Sequence, residues 1–306
     1  GADTLRINAN ANWDNITVSN VEILDGNSLV QNQSYNQYGN GSQIQSTLTV
    51  QQVLDKGFTS AQNIVFGLDQ NVSDGVIDAS GLAGALTLRG TNQSDTLTGN
   101  NDNNTIHLLN ENDSGAGRGV DAVTAGGGDD IINWDMIQYS QWDKNFSSVD
   151  TASRTYFLTG SLDGGVGDDT LTLNFSNNYF YHAWGGNTWS ESESPSWYVN
   201  LTGLDVTNIE TLTVINEGRD YATPSGFVLT TGQLASLNKA TGLTAVTIKG
   251  GGIVDLAQLA ALNITNWKIG DDLAYTFTGT SASDTVEVGT GQTVVNAGDG
   301  NDTIRI

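Results

Sequence analysis

The chain contains no cysteine. Disulfide staples and thiolate metal sites are therefore excluded. It has only two histidines, His107 and His182, which argues against an imidazole-based zinc site. Two prolines stand against 37 glycines, and no proline- or serine-rich linker divides the sequence. Positive charge is scarce: 11 Lys and Arg face 34 Asp and Glu, a net charge of −23. No basic stripe exists to meet phosphates, so nucleic acid is not expected as a partner. The same charge argues against an anionic membrane surface. No apolar run reaches the roughly 20 residues of a membrane-spanning helix, so membrane insertion is not expected either. No N-terminal signal peptide is visible. The opening GADTLRI reads as the middle of something, and the chain is expected to be an excerpt of a longer one.

What is present is aspartate. Of the acidic residues 27 are Asp and 7 are Glu. A generic acidic surface would use Glu freely; Asp with abundant Gly points to turns and to short oxygen ligands. An acidic chain can be disordered, but 7 Trp, 9 Tyr and 8 Phe, with many short runs of Val, Ile, Leu and Thr, supply material for a core. Such a chain folds only if something offsets the repulsion among its carboxylates, and a divalent cation would do so.

The Asp and Gly residues fall into a nine-residue frame, G-G-x-G-x-D-x-U-x, where U is a large apolar residue. GGVGDDTLT (Gly164 to Thr172) fits at every fixed position, with Asp169 sixth and Leu171 eighth. AGGGDDIIN (Ala125 to Asn133) places Asp130 and Ile132 in the same positions. Two frames stand in tandem from Gly90 to His107, with Asp95 and Leu97, then Asn104 and Ile106. Three more run from Gly279 to Arg305, with Asp284 and Val286, Thr293 and Val295, and Asp302 and Ile304. The tandem blocks resemble each other: ALTLRGTNQSDTLTG aligns with AYTFTGTSASDTVEVG.

Nine residues divide into six of loop and three of strand. Two frames then make an 18-residue coil with two strands and two turns. Stacked coils pair their strands in parallel, bury the eighth residue and place each turn on the turn two frames away. Glycines let the turns aim carbonyls inward. Those carbonyls and the sixth-position carboxylates enclose a space lined by hard oxygens, which suits Ca²⁺ better than Mg²⁺. The frames at Gly279–Asp284 and Ala297–Asp302 are expected to form one such site. Ala125–Asp130 and Gly164–Asp169 are expected to form another, with the segment between them looped out.

These frames resemble the calcium-binding repeats of RTX (repeats-in-toxin) proteins. The resemblance implies a right-handed parallel β-roll, calcium at several turns, and export to the cell exterior by type I secretion. It assigns the calcium role to Asp169, Asp130, Asp95, Asp284 and Asp302, with loop carbonyls from Gly164, Gly165 and Gly167. Gly126, Gly128, Gly279, Gly298, Gly300 and Asp102 complete the candidate ligands. Asn104 and Thr293 depart from the pattern, and their turns are expected to be vacant or water-filled. Intervening phrases such as DASGLAGALTL and NIETLTV look like those of S-layer proteins and large secreted adhesins.

The remaining features are weighed against plainer readings. Two aromatic stretches, Asn133 to Phe146 and Asn178 to Asn200, read as excursions from the solenoid. Tyr181, Trp184, Trp189 and Trp197 could stack on a sugar, although mutual packing of the rings is the plainer account. SGAGRGVD (Ser114 to Asp121) lacks the Lys-Ser/Thr end of a phosphate loop and reads as a surface loop. Thr49–Gly57, Thr230–Gly242 and Asp255–Asn263 carry the caps and spacing of short helices. No nucleophile with a base partner is evident, so an enzyme is not expected. The expectation is an all-β protein: one elongated parallel β-solenoid domain over 1–306, binding several Ca²⁺ at its turns. Its expected setting is secreted or at the bacterial cell surface. Its expected partners are further copies of itself, in a surface array or filament, or a cell-surface polysaccharide.

Overall fold

The computed structural model describes residues 2–6, 17–25, 49–62, 64–68, 75–91, 93–111, 120–137, 154–175, 197–215, 224–243 and 245–305. The chain forms two compact units. One comprises Gly1–Asn110, Gly117–Trp134 and Leu162–Thr170; the other comprises Glu111–Ala116, Asp135–Ser161 and Leu171–Ile306.

In the first unit, successive strands go alternately to two sheets. One sheet takes Val65–Gly67, Thr87–Arg89, Thr105–Glu111 and the start of Ile131–Ile137. The other takes Gly75–Asp78, Asp95–Thr98, Asp121–Gly127 and the end of Arg154–Val166. This is the expected parallel β-roll. Thr87 pairs in parallel with Thr105, and Leu88 with Ile106, 18 residues on. Side chains alternate in and out along Asp95–Thr98 and Asp121–Gly127, as a pleated strand requires. The inward set is the eighth position of each frame: Leu88, Leu97, Ile106, Val123 and Ile132 are at most 2% exposed. A further three-stranded parallel sheet holds Thr4–Arg6, Ile23–Asp25 and Ser60–Gln62, clipped by an ion pair of Arg6 with the buried Asp25 at 2.9 Å.

The second unit repeats the alternation. Thr170–Asn174, Thr211–Ile215 and Lys239–Thr241 lie in one sheet, and Trp197–Thr207, Gly226–Thr230, Val246–Lys249 and Trp267–Ile269 in another. Smaller sheets hold Gly252–Asp255 with Tyr275–Thr278 and Thr293–Asn296, and Thr285–Glu287 with Thr303–Arg305. The last array keeps the 18-residue register, Tyr275 with Thr293 and Thr285 with Thr303. Its core is thinner than expected: Val286 is buried, but Ile304 is 46% exposed. Among the described residues, Thr303–Arg305 pairs with Thr285–Glu287 alone.

Among the described residues, three short helices connect strands. Val50–Asp55 and Thr231–Ser236 each begin with a reciprocal capping box, Thr49 with Gln52 and Thr230 with Gln233. Asp255 caps Leu256–Ala261. The second helix is shorter than its sequence pattern suggests. Leu237 turns extended and Lys239–Thr241 is recruited as a strand, because pairing with Thr211–Thr213 outweighs local propensity. Gln233 also donates to the carbonyls of Leu201 and Leu204, at 2.8 and 2.9 Å, tying the helix to the preceding coil.

Candidate metal centre

Turns between the two sheets of the first unit stack into a ladder. Its rungs are Gly81–Leu86, Gly99–Asn104, Ala125–Asp130 and Gly164–Asp169, and from the second rung on the sixth residue of each holds the rung before it. The Asn104 side-chain oxygen accepts from the Leu86 amide at 3.3 Å, Asp130 Oδ1 from the Asn104 amide at 2.6 Å, and Asp169 Oδ1 from the Asp130 amide at 2.7 Å. The rungs are 18, 26 and 39 residues apart in sequence, so lengthy insertions are passed over without loss of register. Ala125–Asp130 is therefore the partner of Gly164–Asp169, as expected. The Thr170 amide also donates to the Asp130 carbonyl at 2.9 Å, and the Asp168 amide to Asp129 Oδ1 at 3.0 Å.

Glycine makes this stacking possible. Gly165 has φ +98° and a Cβ there would overlap the Gly126 carbonyl oxygen. Gly167 has φ +153° and stands in the same relation to the Gly128 carbonyl. Side chains at these positions would push the rungs apart and displace the inward carbonyls.

The carboxylates are deeply buried. Asp130 is 1% exposed and Asp169 has no exposed surface. Asp130 Oδ2 is buried and accepts no hydrogen bond. Burial pushes the Asp130 carboxyl up to about 6, with the charges of Asp169 and Asp129 adding to the rise against the hydrogen bonds from Asn104. An orphaned buried carboxylate oxygen is costly unless a cation meets it. The residues present thus fit a hard cation held by Asp130 and Asp169 with backbone carbonyls of the two rungs. Among the described residues no three His, Cys, Asp or Glu side chains converge, so such a donor set combines two successive carboxylates with backbone oxygen. When bound, Ca²⁺ supplies the positive charge that lets these carboxylates stay ionised out of water.

A second constellation lies on the opposite turns of the same unit. The Asp95 amide donates to Asp121 Oδ1 at 3.0 Å, the same rung-to-rung bond. Asp95 Oδ1 is buried without a hydrogen bond, and burial pushes Asp121 up to about 7, with the charge of Asp95 contributing. Asp121 is absent from the expected ligands. The signal was there: Ala116 to Thr124, AGRGVDAVT, has Gly117, Gly119, Asp121 and Val123 in frame. Read against a phosphate loop it passes for a plain surface loop; its Asp is in fact 3% exposed and in the sixth position.

Gly279–Asp284 and Ala297–Asp302 also stack as expected. The Asp284 amide donates to Asp302 Oδ1 at 3.0 Å, and the Thr303 amide to the Asp284 carbonyl at 2.8 Å. Cβ atoms on Gly298 and Gly300 would overlap the Thr280 and Ala282 carbonyl oxygens, and one on Gly279 that of Ala297. These turns are mostly solvent-exposed.

The likeness between the two tandem blocks has a physical basis. Asp95 Oδ2 accepts from the Thr91 amide and hydroxyl at 2.5 and 3.0 Å; Asp284 Oδ2 accepts from those of Thr280 at 2.7 and 3.0 Å. In both, a threonine in the second position holds one oxygen of the sixth-position Asp within its own turn. Asp102 does different work: its Oδ2 accepts from the Gly84 amide at 2.7 Å and pins the neighbouring rung. Tyr181, Trp184 and Trp189 lie outside the described residues, as does the side chain of Trp197.

Parallel strands stacked as a β-roll over Gly/Asp turns define the class of the protein. The model of the RTX calcium-binding nonapeptide repeat matches residues 81–114, 160–188 and 278–305. The chain therefore carries RTX repeats, which bind Ca²⁺ at multiple sites and are typical of secreted proteins. Ala125–Asn133 and Ala116–Thr124 lie outside those matches, yet the hydrogen bonds of Asp130 and Asp121 place them in the same ladders. No curated protein and no solved structure matches the chain.

Proposed function

We propose that this chain is a structural module of an extracellular surface protein, of the S-layer or large secreted adhesin type, whose folding and assembly calcium switches on. The observation that carries it is the buried pair Asp130 and Asp169, with Asp130 Oδ2 left without a hydrogen bond. A net charge of −23 opposes compaction where calcium is low and keeps the chain open for export. Outside the cell, calcium binds only the folded arrangement and draws folding over by mass action. Circular dichroism tests this. Chelation with EDTA is expected to remove much of the β signal and millimolar Ca²⁺ to restore it, whereas Mg²⁺ at the same concentration does not. A spectrum indifferent to chelator contradicts the switch.

A further inference from the structure

The four-rung ladder is not chemically uniform. At Gly99–Asn104 the residues do not fit a cation. Asn104, 1% exposed, donates through its side-chain nitrogen to the carbonyls of Asp102 at 2.6 Å, Ala125 at 3.3 Å and Asn100 at 3.4 Å. Its oxygen accepts from the Leu86 amide. Asn100, 4% exposed, donates to the carbonyls of Leu82 at 2.7 Å and Gly84 at 2.9 Å, and accepts from the Asp102 amide at 2.8 Å. Carbonyls from three successive rungs thus meet amide N–H groups. Donors and acceptors lie on opposite ends of each amide, so its orientation follows from the network. No carboxylate stands in the sixth position to hold a divalent ion.

We propose that Gly99–Asn104 is a calcium-free rung, in which the amides of Asn100 and Asn104 take the part a cation plays between Ala125–Asp130 and Gly164–Asp169. A satisfied neutral amide costs little to bury, whereas a carboxylate with an orphaned oxygen costs more. The rungs from Gly81 to Asn104 then form without metal. They present the backbone N–H of Asn104 to Asp130 Oδ1, a ready surface on which the first calcium-dependent rung is laid. The inference rests on the calcium reading of the Asp130 and Asp169 rungs.

Hydrogen exchange followed by mass spectrometry, on the whole chain with and without EDTA, tests it. Amides of 82–90 and 104–108 are expected to stay protected in chelator, while those of 165–172 lose protection on the order of 100-fold, the gain expected from saturating calcium. Loss of protection in both segments overturns the calcium-free rung. Retention in both overturns the calcium switch, and with it the contrast. Asn104→Asp supplies an independent readout. It removes the N–H donors, sets a carboxylate beside Asp130, and is expected to raise the bound calcium count by one in native mass spectrometry. An unchanged count in a folded variant overturns the proposal.

Discussion

Asp130 concentrates the chemistry of the protein in one side chain. One carboxylate oxygen serves the fold by accepting from the Asn104 amide, and the other is buried with no hydrogen bond. Burial pushes the carboxyls of Asp130 and Asp121 up to about 6 and about 7, from the ordinary value of 3.8. A carboxyl whose folded pKa is raised stabilises the fold below its unfolded pKa, and that contribution is lost as pH rises through the folded pKa. Calcium-free stability is therefore expected to fall as pH rises from about 4 to about 7, measured by urea unfolding in chelator. Asp78 and Asp271 are shifted downward, Asp78 by its bonds to Ser80 and Asp271 by bonds from Tyr275 and the Gly250 amide, against desolvation; they act below this window. A flat profile contradicts the assignment. Asp130→Asn is expected to remove part of that slope and to weaken calcium binding by at least about 10-fold, the factor for roughly 1.4 kcal/mol, in a calcium titration. A companion variant, Asp102→Asn, alters a carboxylate that pins a rung and is expected to leave calcium affinity unchanged. At this scale most sixth-position Asp residues were legible from their frames, whereas Asp121, with Gly117 and Gly119 in frame, was passed over because its stretch was compared with a phosphate loop.

The working element is the stacked turn, and neither of its partners is complete alone. Gly165 is glycine because the Gly126 carbonyl occupies the space of its Cβ at a positive φ. Gly165→Ala is expected to cost at least about 1–2 kcal/mol from the left-handed backbone alone, with the overlap adding to it. The measurement is a calcium-saturated urea titration, together with a rise in the calcium concentration at half-folding. Ile132, fully buried beneath the same rung, reports on packing instead: Ile132→Ala is expected to cost about 2–5 kcal/mol in calcium and in chelator under acid alike. The threonine-closed turns at Thr91 and Thr280 were visible in the sequence as a likeness between two phrases. Their function was not, because a hydroxyl bonding back to Asp leaves no periodic signature.

For the whole chain, charge sets the terms. A surplus of 23 negative charges keeps copies apart in the absence of divalent cations. If the module builds a surface layer, calcium is expected to produce ordered sheets or filaments in electron micrographs, reversed by EDTA. Monodisperse particles at every calcium concentration contradict the assembly role while leaving the folding switch intact.

The nine-residue period by itself determined the parallel roll, the inward eighth residue and the preference for calcium. These follow from local geometry that repeats and needs no knowledge of distant contacts. It required a second like turn against Gly164–Asp169 and offered Ala125–Asp130 as the candidate; the hydrogen bond from the Asp130 amide to Asp169 Oδ1 across 39 residues made the choice. Asn in place of Asp at position 104 was legible in the sequence, but only the tertiary structure decided which atoms each side chain meets. Asn104 and Asp130 occupy equivalent positions in equivalent turns, but the Asn104 amide reaches three carbonyls while Asp130 keeps an oxygen without a hydrogen bond. Whether a turn closes on an amide or requires a cation depends on which atoms the neighbouring coils bring within hydrogen-bonding reach, and those coils lie 18 to 39 residues away.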